Sequence, residues 1–343
     1  MAQEIKRSAT GDRTASRQRL TVAVCLPTYN GERFLQEQLD SIAEQRAVPD
    51  ELLVSDDHST DSTVEIVKAF ARSAPIKVRL SVNETNLGLA PNTARLVRSA
   101  ESDVLFFADQ DDIWKPDKVE KMLVPFEMDP GVEAVGSDSL PFDSASGTPA
   151  RKSVWKEFSN GARPAPTLTQ VISRRVFIAG HNLAVWRRTL QAVMWSDMAV
   201  WPDLWMALIF AGRGTLALVD EPLVMYRQHA SNTIGIRGHR SRDDNIANWS
   251  RSADTLSASR MFLEAAGTEI SVADAMLIRE REAFLRQRVE YLRRPLWHVG
   301  TPLRLFLRRG GYRAYAHGIH SFAGDMAELV GGRRRSTDMP SGL

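Results

Sequence analysis

The 343-residue chain carries 43% hydrophobic residues and a formal net charge of +2, enough apolar mass for a full α/β core plus a smaller appended unit. A charge so near balance argues against a dedicated nucleic-acid binder. The only cysteine, Cys25, lies in an apolar run, which excludes an intrachain disulfide and a cysteine-based zinc site and makes a reducing cytoplasm the expected compartment.

Residues 1–19 are polar and basic without hydrophobic periodicity, and a disordered tail is expected there. No signal-peptide core stands at the N-terminus, and no apolar stretch approaches the roughly 20 residues of a membrane span. From residue 20 the pattern reads strand, turn, helix. Residues 20–26 are β-rich, residues 31–44 place Phe34, Leu35, Leu39 and Ile42 at helical spacing, and residues 51–54 form a second strand. Ser59, Thr60, Asp61 and Ser62 precede a second helix containing Val64, Ile66, Val67 and Phe70. A third strand at residues 78–82, a helix at 91–99 and a strand at 104–107 follow. Such alternation implies a mostly parallel sheet covered on both faces, with ligands bound outside the C-terminal ends of the strands.

Farther on, a helix is expected around residues 118–126 and a strand at 134–136, then a Gly/Pro/Ser-rich irregular stretch to Pro166. Helical spacing at 168–173, a strand-like piece at 176–178, helices after Arg187 and at 203–210, and a strand at 216–219 complete the sheet region, which closes near Ser231. Residues 245–266 and 271–292 read as long helices with Arg/Glu pairs on one side and apolar residues on the other. The expected division is a tail over 1–19, a sheet domain over 20–231 and a mainly helical extension over 232–343 that ends in a flexible tail.

The polar motifs fall at the strand ends. The apolar strand Val104–Phe107 runs into Asp109, Gln110, Asp111 and Asp112 ahead of Trp114. Carboxylates this close repel one another unless a cation lies between them, and Mg²⁺ or Mn²⁺ is commonly held by one or two carboxylates plus substrate phosphates. An acidic helix cap is the competing reading. The first strand ends in Pro27, Thr28, Tyr29, Asn30 and Gly31, a turn at the ligand edge. The second ends in Asp56, Asp57, His58, Ser59, Thr60 and Asp61, where a carboxylate can accept from the N3–H of uracil or thymine. Asn86, Leu87 and Gly88 add a glycine-permitted turn.

In this order the four motifs resemble the family-2 inverting glycosyltransferases of the GT-A fold. The resemblance implies that Pro27, Thr28, Tyr29, Asn30, Asp57, Asn86, Gly88, Asp109 and Gln110 bind a nucleoside-diphosphate sugar, with Asp57 on the pyrimidine. Asp111 is then the direct ligand of Mg²⁺ or Mn²⁺, with Asp109 beside it. Gly180, His181 and Asn182 resemble the segment between donor and acceptor, and Asp112, Trp114 and Trp205 fall in the same acceptor or donor-sugar region. Pro202, Asp203, Leu204 and Trp205 resemble the family's base motif, although related rhamnosyltransferase-like members carry His-Asp-Trp-Trp there. Asp203 is the implied general base, with helix capping as the competing role. Tyr226, Arg227, Gln228 and His229 resemble a closing Tyr-Arg-x-His motif, which gives Arg227 to the diphosphate and His229 to the metal or a phosphate. The segment 231–235 is expected to close over the donor.

The implied activity is metal-assisted single displacement from a dTDP- or UDP-sugar, with dTDP-rhamnose favoured by the rhamnosyltransferase-like motifs, to a cell-surface glycan or lipid-linked acceptor. A non-catalytic sugar-nucleotide scaffold or sensor and a nucleotidyltransferase are the alternatives. The latter lacks its usual Gly-rich basic first loop, and no Gly-x-Gly-x-x-Gly follows the first strand as a dinucleotide fold requires. The segment 296–315, with Leu296, Trp297, Phe306, Arg304, Arg308 and Arg309, suits peripheral contact with the inner face of the cytoplasmic membrane or packing against the catalytic domain.

Overall fold

The structure is a computed structural model, and it describes residues 19–158, 164–173, 176–193, 200–229 and 242–293. The expectations for the tail at 1–18, the loop at 231–235 and the Arg-rich segment at 296–315 lie outside the described residues.

Four strands, β1 (Val22–Thr28), β2 (Glu51–Asp56), β3 (Lys77–Val82) and β4 (Val104–Phe107), alternate with helices α1 (Leu35–Ala43), α2 (Thr63–Ala71) and α3 (Leu89–Ser99). They pair in parallel in the order β3-β2-β1-β4. The order reverses between β1 and β4, so the helices leave opposite faces there and a crevice opens past Thr28 and Phe107. Side chains alternate along β1 as the period of two requires. Val22, Val24 and Leu26 join Leu35, Leu39 and Ile42 of α1, whereas Ala23 and Cys25 join Ala94 and Val97 of α3. Burial pushes the Cys25 thiol far up, which removes it from chemistry at neutral pH.

The sheet continues with β5 (Ile113–Trp114), β6 (Ala134–Asp143), β7 (Leu183–Trp186) and β8 (Leu216–Gln228), giving the eight-stranded order β3-β2-β1-β4-β7-β6-β8-β5. β7 runs antiparallel to both β4 and β6, while β6 and β8 are parallel and slip register near Asp138. Helices α4 (Lys118–Met128), α5 (Val154–Phe158), α6 (Leu168–Ile172), α7 (Arg187–Ala192) and α8 (Pro202–Gly212) cover it. Residues 176–178, expected as a strand, are irregular, and the strand forms instead at Leu183–Trp186. β6 reaches Asp143, well past the three residues expected, because the longer strand β8 pairs with it all the way to Asp143.

Two further helices, α9 (Arg242–Ala265) and α10 (Val272–Arg293), pack on the sheet region. α8 is apolar all round and is covered on its outer side, as such helices must be. The cover is α9: the Trp205 and Phe262 rings meet edge-on at 5.4 Å, and Leu263 sits so close to Gly212 that a Cβ there would lie 2.7 Å from Leu263 Cδ1. Ala253, Leu256 and Leu263 of α9 and Ile278, Phe284 and Leu285 of α10 share one core cluster with Leu208 and Phe210 of α8. No helix among the described residues is long and apolar enough to cross a membrane.

Candidate active site

The crevice at the strand ends is a cleft of about 480 Å³. One wall comes from the ends of β1 and β2 and the turn before α3: Pro27, Thr28, Tyr29, Asp57, Asn86 and Gly88. The floor follows β4 through Asp109, Gln110 and Asp111 with Gly180 and His181 beside them, and Trp201 and Asp203 also line the cleft.

The first wall is held open by its own polar groups. Gln110 brackets Tyr29, accepting from its N–H at 2.9 Å and donating to its C=O at 3.0 Å. Gly31 permits this approach, because a Cβ there would stand 2.3 Å from Gln110 Oε1. Asn30 takes φ 45°, a left-handed conformation that asparagine tolerates, and its Oδ1 accepts from Thr60 N–H at 2.9 Å. Thr28 donates to Asp56 at 2.9 Å. Asp57 accepts from Asn83 Nδ2, Leu87 N–H and Gly88 N–H, each at 2.8 Å, so its carboxylate fixes the Asn86–Gly88 turn while its edge lines the cleft. Gly88 stands at φ 86° in that turn, where a side chain would be strained.

At the floor the acidic run splits into two groups. Asp109, Asp112 and His181 have ligand atoms all within 4.8 Å of one another. His181 Nδ1 lies 3.3 Å from Asp109 Oδ2 and 3.2 Å from Asp112 Oδ2, and its Nε2 is 3.1 Å from Ser139 Oγ. Asp111 instead meets His229, Nε2 to Oδ2 at 2.8 Å. Asp112 is fully buried, its Oδ1 accepts from Arg227 N–H at 2.9 Å, and its Oδ2 faces His181 Nδ1 and has no other polar contact among the described residues. Burial first, then the charges of Asp111 and Asp109, hold its carboxyl well above the usual range, with His181 opposing. Burial alone would lower His181, but Asp112 and Asp109 outweigh it and raise the imidazole.

Lys118 is the unexpected member of this floor. It is wholly buried, donates to the His181 carbonyl at 2.6 Å and stands 3.4 Å from the centre of the Trp114 ring. Desolvation pulls its ammonium well below the ordinary range, against the attraction of Asp112 and Asp109. Lysines are almost always solvated, so no sequence pattern marks this one.

These groups fit a divalent cation. Asp109 and Asp111 reach the cleft lining, and Asp109, buried Asp112 and His181 hold ligand atoms within 4.8 Å of one another. An oxygen-rich set with one imidazole is the donor chemistry that Mg²⁺ and Mn²⁺ accept.

Asp203 occupies the first turn of α8 and is half-buried. Its Oδ1 accepts from Leu204 N–H at 2.7 Å. Desolvation pushes its pKa up to about 6, with a smaller upward push from Asp109 and a downward one from that N–H. A carboxylate with this value takes protons effectively near neutral pH.

The remaining expected residues lie behind the lining. Trp114 and Trp205 are buried, and Trp205 Nε1 donates to Val193 O at 2.8 Å. Asn182 is buried and accepts from Ala179 N–H at 3.0 Å. Arg227 is buried with its guanidinium between the Phe34 and Phe142 rings, donating to Glu37 at 2.8 Å and to Asp111 O at 2.7 Å. Phe177, Met206, Tyr226 and Arg251 line the cleft and were not among the expected site residues. Arg251 comes from α9, whose polar helical sequence gives no hint that one arginine reaches the sheet edge.

A mostly parallel sheet with a switch-point cleft, an acidic strand end on its floor and the Asp203 carboxylate on its lining make this a GT-A fold. The same architecture recurs in Staphylococcus aureus TarS 1–349 (TM-score 0.57, 16% identity, 94% of this chain and 95% of that one). It recurs also in the mannosyltransferase PcManGT from Pyrobaculum calidifontis, in complex with GDP-Man and Mn²⁺ (TM-score 0.57, 19% identity, 93% and 89%). Residues 23–188 match the sequence profile described as Glycosyl transferase family 2. Over 103 residues it is 41% identical to the dTDP-rhamnosyl transferase RfbG of Shigella flexneri, covering 29% of this chain and 35% of that protein. The chain spans 44% and 66% of the lengths of two other glycosyltransferase relatives.

Proposed function

We propose that the protein transfers a sugar from a nucleoside-diphosphate sugar to an acceptor hydroxyl, with inversion at the anomeric carbon. The observation that carries this reading is that Asp203 lines the same cleft as Asp109 and Asp111. Inverting displacement needs a base on the acceptor face and positive charge on the leaving-group face; Asp203 is assigned the first, and a cation at Asp109 and Asp111 would supply the second.

The nucleoside end is assigned to the wall of Pro27, Thr28, Tyr29, Asn86 and Gly88, with Asp57 presenting its edge to a pyrimidine N3–H. Mg²⁺ or Mn²⁺, held by Asp109 and Asp111 with His229 touching Asp111, supplies positive charge to the diphosphate when bound. His181 and Lys118 hold the acidic floor in place from behind through the contacts with Asp109 and Asp112 and the bond to the His181 carbonyl. Asp203 takes the proton of the attacking hydroxyl, whose oxygen forms the new glycosidic bond as the bond to the diphosphate breaks. Arg227, expected at the diphosphate, is assigned here to steadying the loop through the Asp111 carbonyl and the Asp112 carboxylate.

The donor assigned first is dTDP-rhamnose, supported by the 41% identity over 103 residues to a dTDP-rhamnosyl transferase; a UDP-sugar is second. The acceptor class is a cell-surface glycan or lipid-linked glycan, met on the cytoplasmic side of the membrane, and the catalytic domain is assigned to residues 20–231 with α9 and α10 as an extension. Binding and hydrolysis of a panel of dTDP- and UDP-sugars, with Mg²⁺ or Mn²⁺ and with chelator, test the reading. Metal-dependent binding and slow donor hydrolysis are expected. Absence of binding across the panel counts against glycosyl transfer, and binding without any hydrolysis or transfer favours a sugar-nucleotide sensor.

A further inference from the structure

Arg251 is, among the described residues, the single lysine or arginine on the cleft lining, where Asp57, Asp109, Asp111 and Asp203 supply the carboxylates. It is placed there by a specific junction between α9 and the start of α8. Thr255, one helical turn on, donates to the Arg251 carbonyl at 2.7 Å and accepts from Trp201 N–H at 3.0 Å. Trp201 Nε1 donates to Asn248 O at 3.5 Å, one turn back. The Arg251 guanidinium then lies over the Trp201 ring, 4.6 Å from its centre. Trp201 is the residue that caps α8, two positions before Asp203.

No carboxylate among the described residues pairs with Arg251, although neighbouring arginines of the helical pair are engaged: Arg260 with Glu264, and Arg286 with Asp254 and Glu282. While the cleft is open, water solvates the exposed guanidinium. When an acceptor docks against Trp201 and Asp203 that water leaves, and a neutral acceptor would strand an unpaired charge in a low-dielectric site. An acceptor bringing an oxyanion removes that cost and gains the two-pronged hydrogen bonding that a guanidinium forms with phosphate or carboxylate. Stacking on Trp201 fixes the plane of the fork beforehand. The glycosyl-transfer reading assigns the nucleoside end to Pro27, Thr28, Tyr29, Asn86 and Gly88, whereas Arg251 is joined to Trp201 beside Asp203, so the acceptor rather than the leaving diphosphate is taken as its partner.

We infer that Arg251 and Trp201 form an oxyanion subsite beside Asp203, and that the acceptor carries a phosphate or carboxylate near the hydroxyl that is glycosylated. This rests on the glycosyl-transfer reading and names the acceptor chemistry of the same cleft.

The test uses the full chain with a saturating pyrimidine nucleoside diphosphate and Mn²⁺, and follows binding of methyl glucoside, glucose 6-phosphate and methyl glucuronide by ligand-observed NMR. At least one anionic probe should bind about tenfold or more tightly than the neutral one, the scale of a charge-assisted pair. Glucose 6-phosphate and methyl glucuronide distinguish the two oxyanions. Arg251→Gln should abolish the preference, Arg251→Lys should keep part of it, and neither should move nucleoside diphosphate affinity beyond about twofold. Equal binding of all three probes, or a preference that survives in Arg251→Gln, overturns the subsite. So does a fall in nucleoside diphosphate affinity in Arg251→Gln, which would assign the arginine to the leaving group. An oxyanion preference without nucleotide binding would overturn the glycosyl-transfer reading alone, whereas nucleotide binding without the preference would overturn the subsite alone.

Discussion

The Arg227 guanidinium donates to Glu37 across 2.8 Å and to the Asp111 carbonyl at 2.7 Å, which ties the end of β8 to α1 and to the acidic loop. The flanking Phe34 and Phe142 rings stand 4.5 and 4.7 Å from its central carbon. An arginine so enclosed acts on the loop's position.

Arg227→Ala is therefore expected to cost roughly 2–4 kcal/mol of stability, the range for opening a buried hydrogen-bonded charge network. Thermal or denaturant unfolding measures this. A variant with parental stability but no donor binding would give Arg227 a direct role at the diphosphate instead.

Gly31 and Gln110 are coupled through the 2.3 Å approach that a Cβ at position 31 would force on Gln110 Oε1. Gly31→Ala should displace the amide from Tyr29 and lose both hydrogen bonds, at roughly 1–2 kcal/mol. Gln110→Ala removes the same bonds, so the double variant should be little worse than either single one. A double-mutant cycle reads this, and simple additivity would contradict the coupling.

Asp57 accepts three N–H donors, from Asn83, Leu87 and Gly88. In Asp57→Asn an amide NH₂ must face at least one of them, so the turn before α3 should loosen at a cost on the order of 1–3 kcal/mol. Faster hydrogen exchange at Leu87 and Gly88 is the expected signature; unchanged exchange would show that the carboxylate is not what holds the turn.

The parallel half of the sheet is legible because its strands are apolar runs and its helices carry regular apolar spacing, as at Leu35, Leu39 and Ile42. β5 escapes because two residues are too few for a periodic signal, and β7 because periodicity alone does not tell so short an apolar run from a buried helix turn; tertiary pairing to β8, β4 and β6 makes them strands. The extension of β6 beyond Gly136 is hidden by Ser137, Asp138, Ser139 and Pro141, polar or strand-breaking residues that are nevertheless mostly buried. The acidic strand end and Asp203 could be located by motif, since strand ends meet at the switch point. Which carboxylate meets which histidine could not, because His181–Asp112 and His229–Asp111 depend on side-chain directions more than 60 residues apart in sequence. Lys118 and Arg251 carry no motif at all: one is a charged residue buried by its surroundings, the other an arginine on a polar helix whose docking alone brings it to the cleft.

Asp203 also predicts a stability effect opposite in sign to its catalytic one. Its pKa in the folded protein is raised to about 6, so the folded state binds the proton more tightly than the unfolded chain. The stabilisation from the protonated form is complete below about pH 4 and lost as pH rises through about 6. The amide of Asp203→Asn keeps an oxygen for Leu204 N–H and never ionises. Its stability advantage over the parent should be near zero at about pH 4 and reach on the order of 1–2 kcal/mol at about pH 7, a figure reduced for the carboxyl's partial exposure. Paired unfolding curves at the two pH values check it, and an advantage independent of pH would contradict it.

The most direct test of the central claim is turnover of the parent and of Asp203→Asn on the donor that the nucleotide-sugar panel identifies, with donor affinity measured on the same samples. Transfer should fall on the order of 10²–10⁴-fold while donor affinity stays within about twofold, because the amide preserves shape but cannot accept a proton near neutral pH. Near-parental turnover in Asp203→Asn would contradict the account and leave Asp203 as a helix-capping residue.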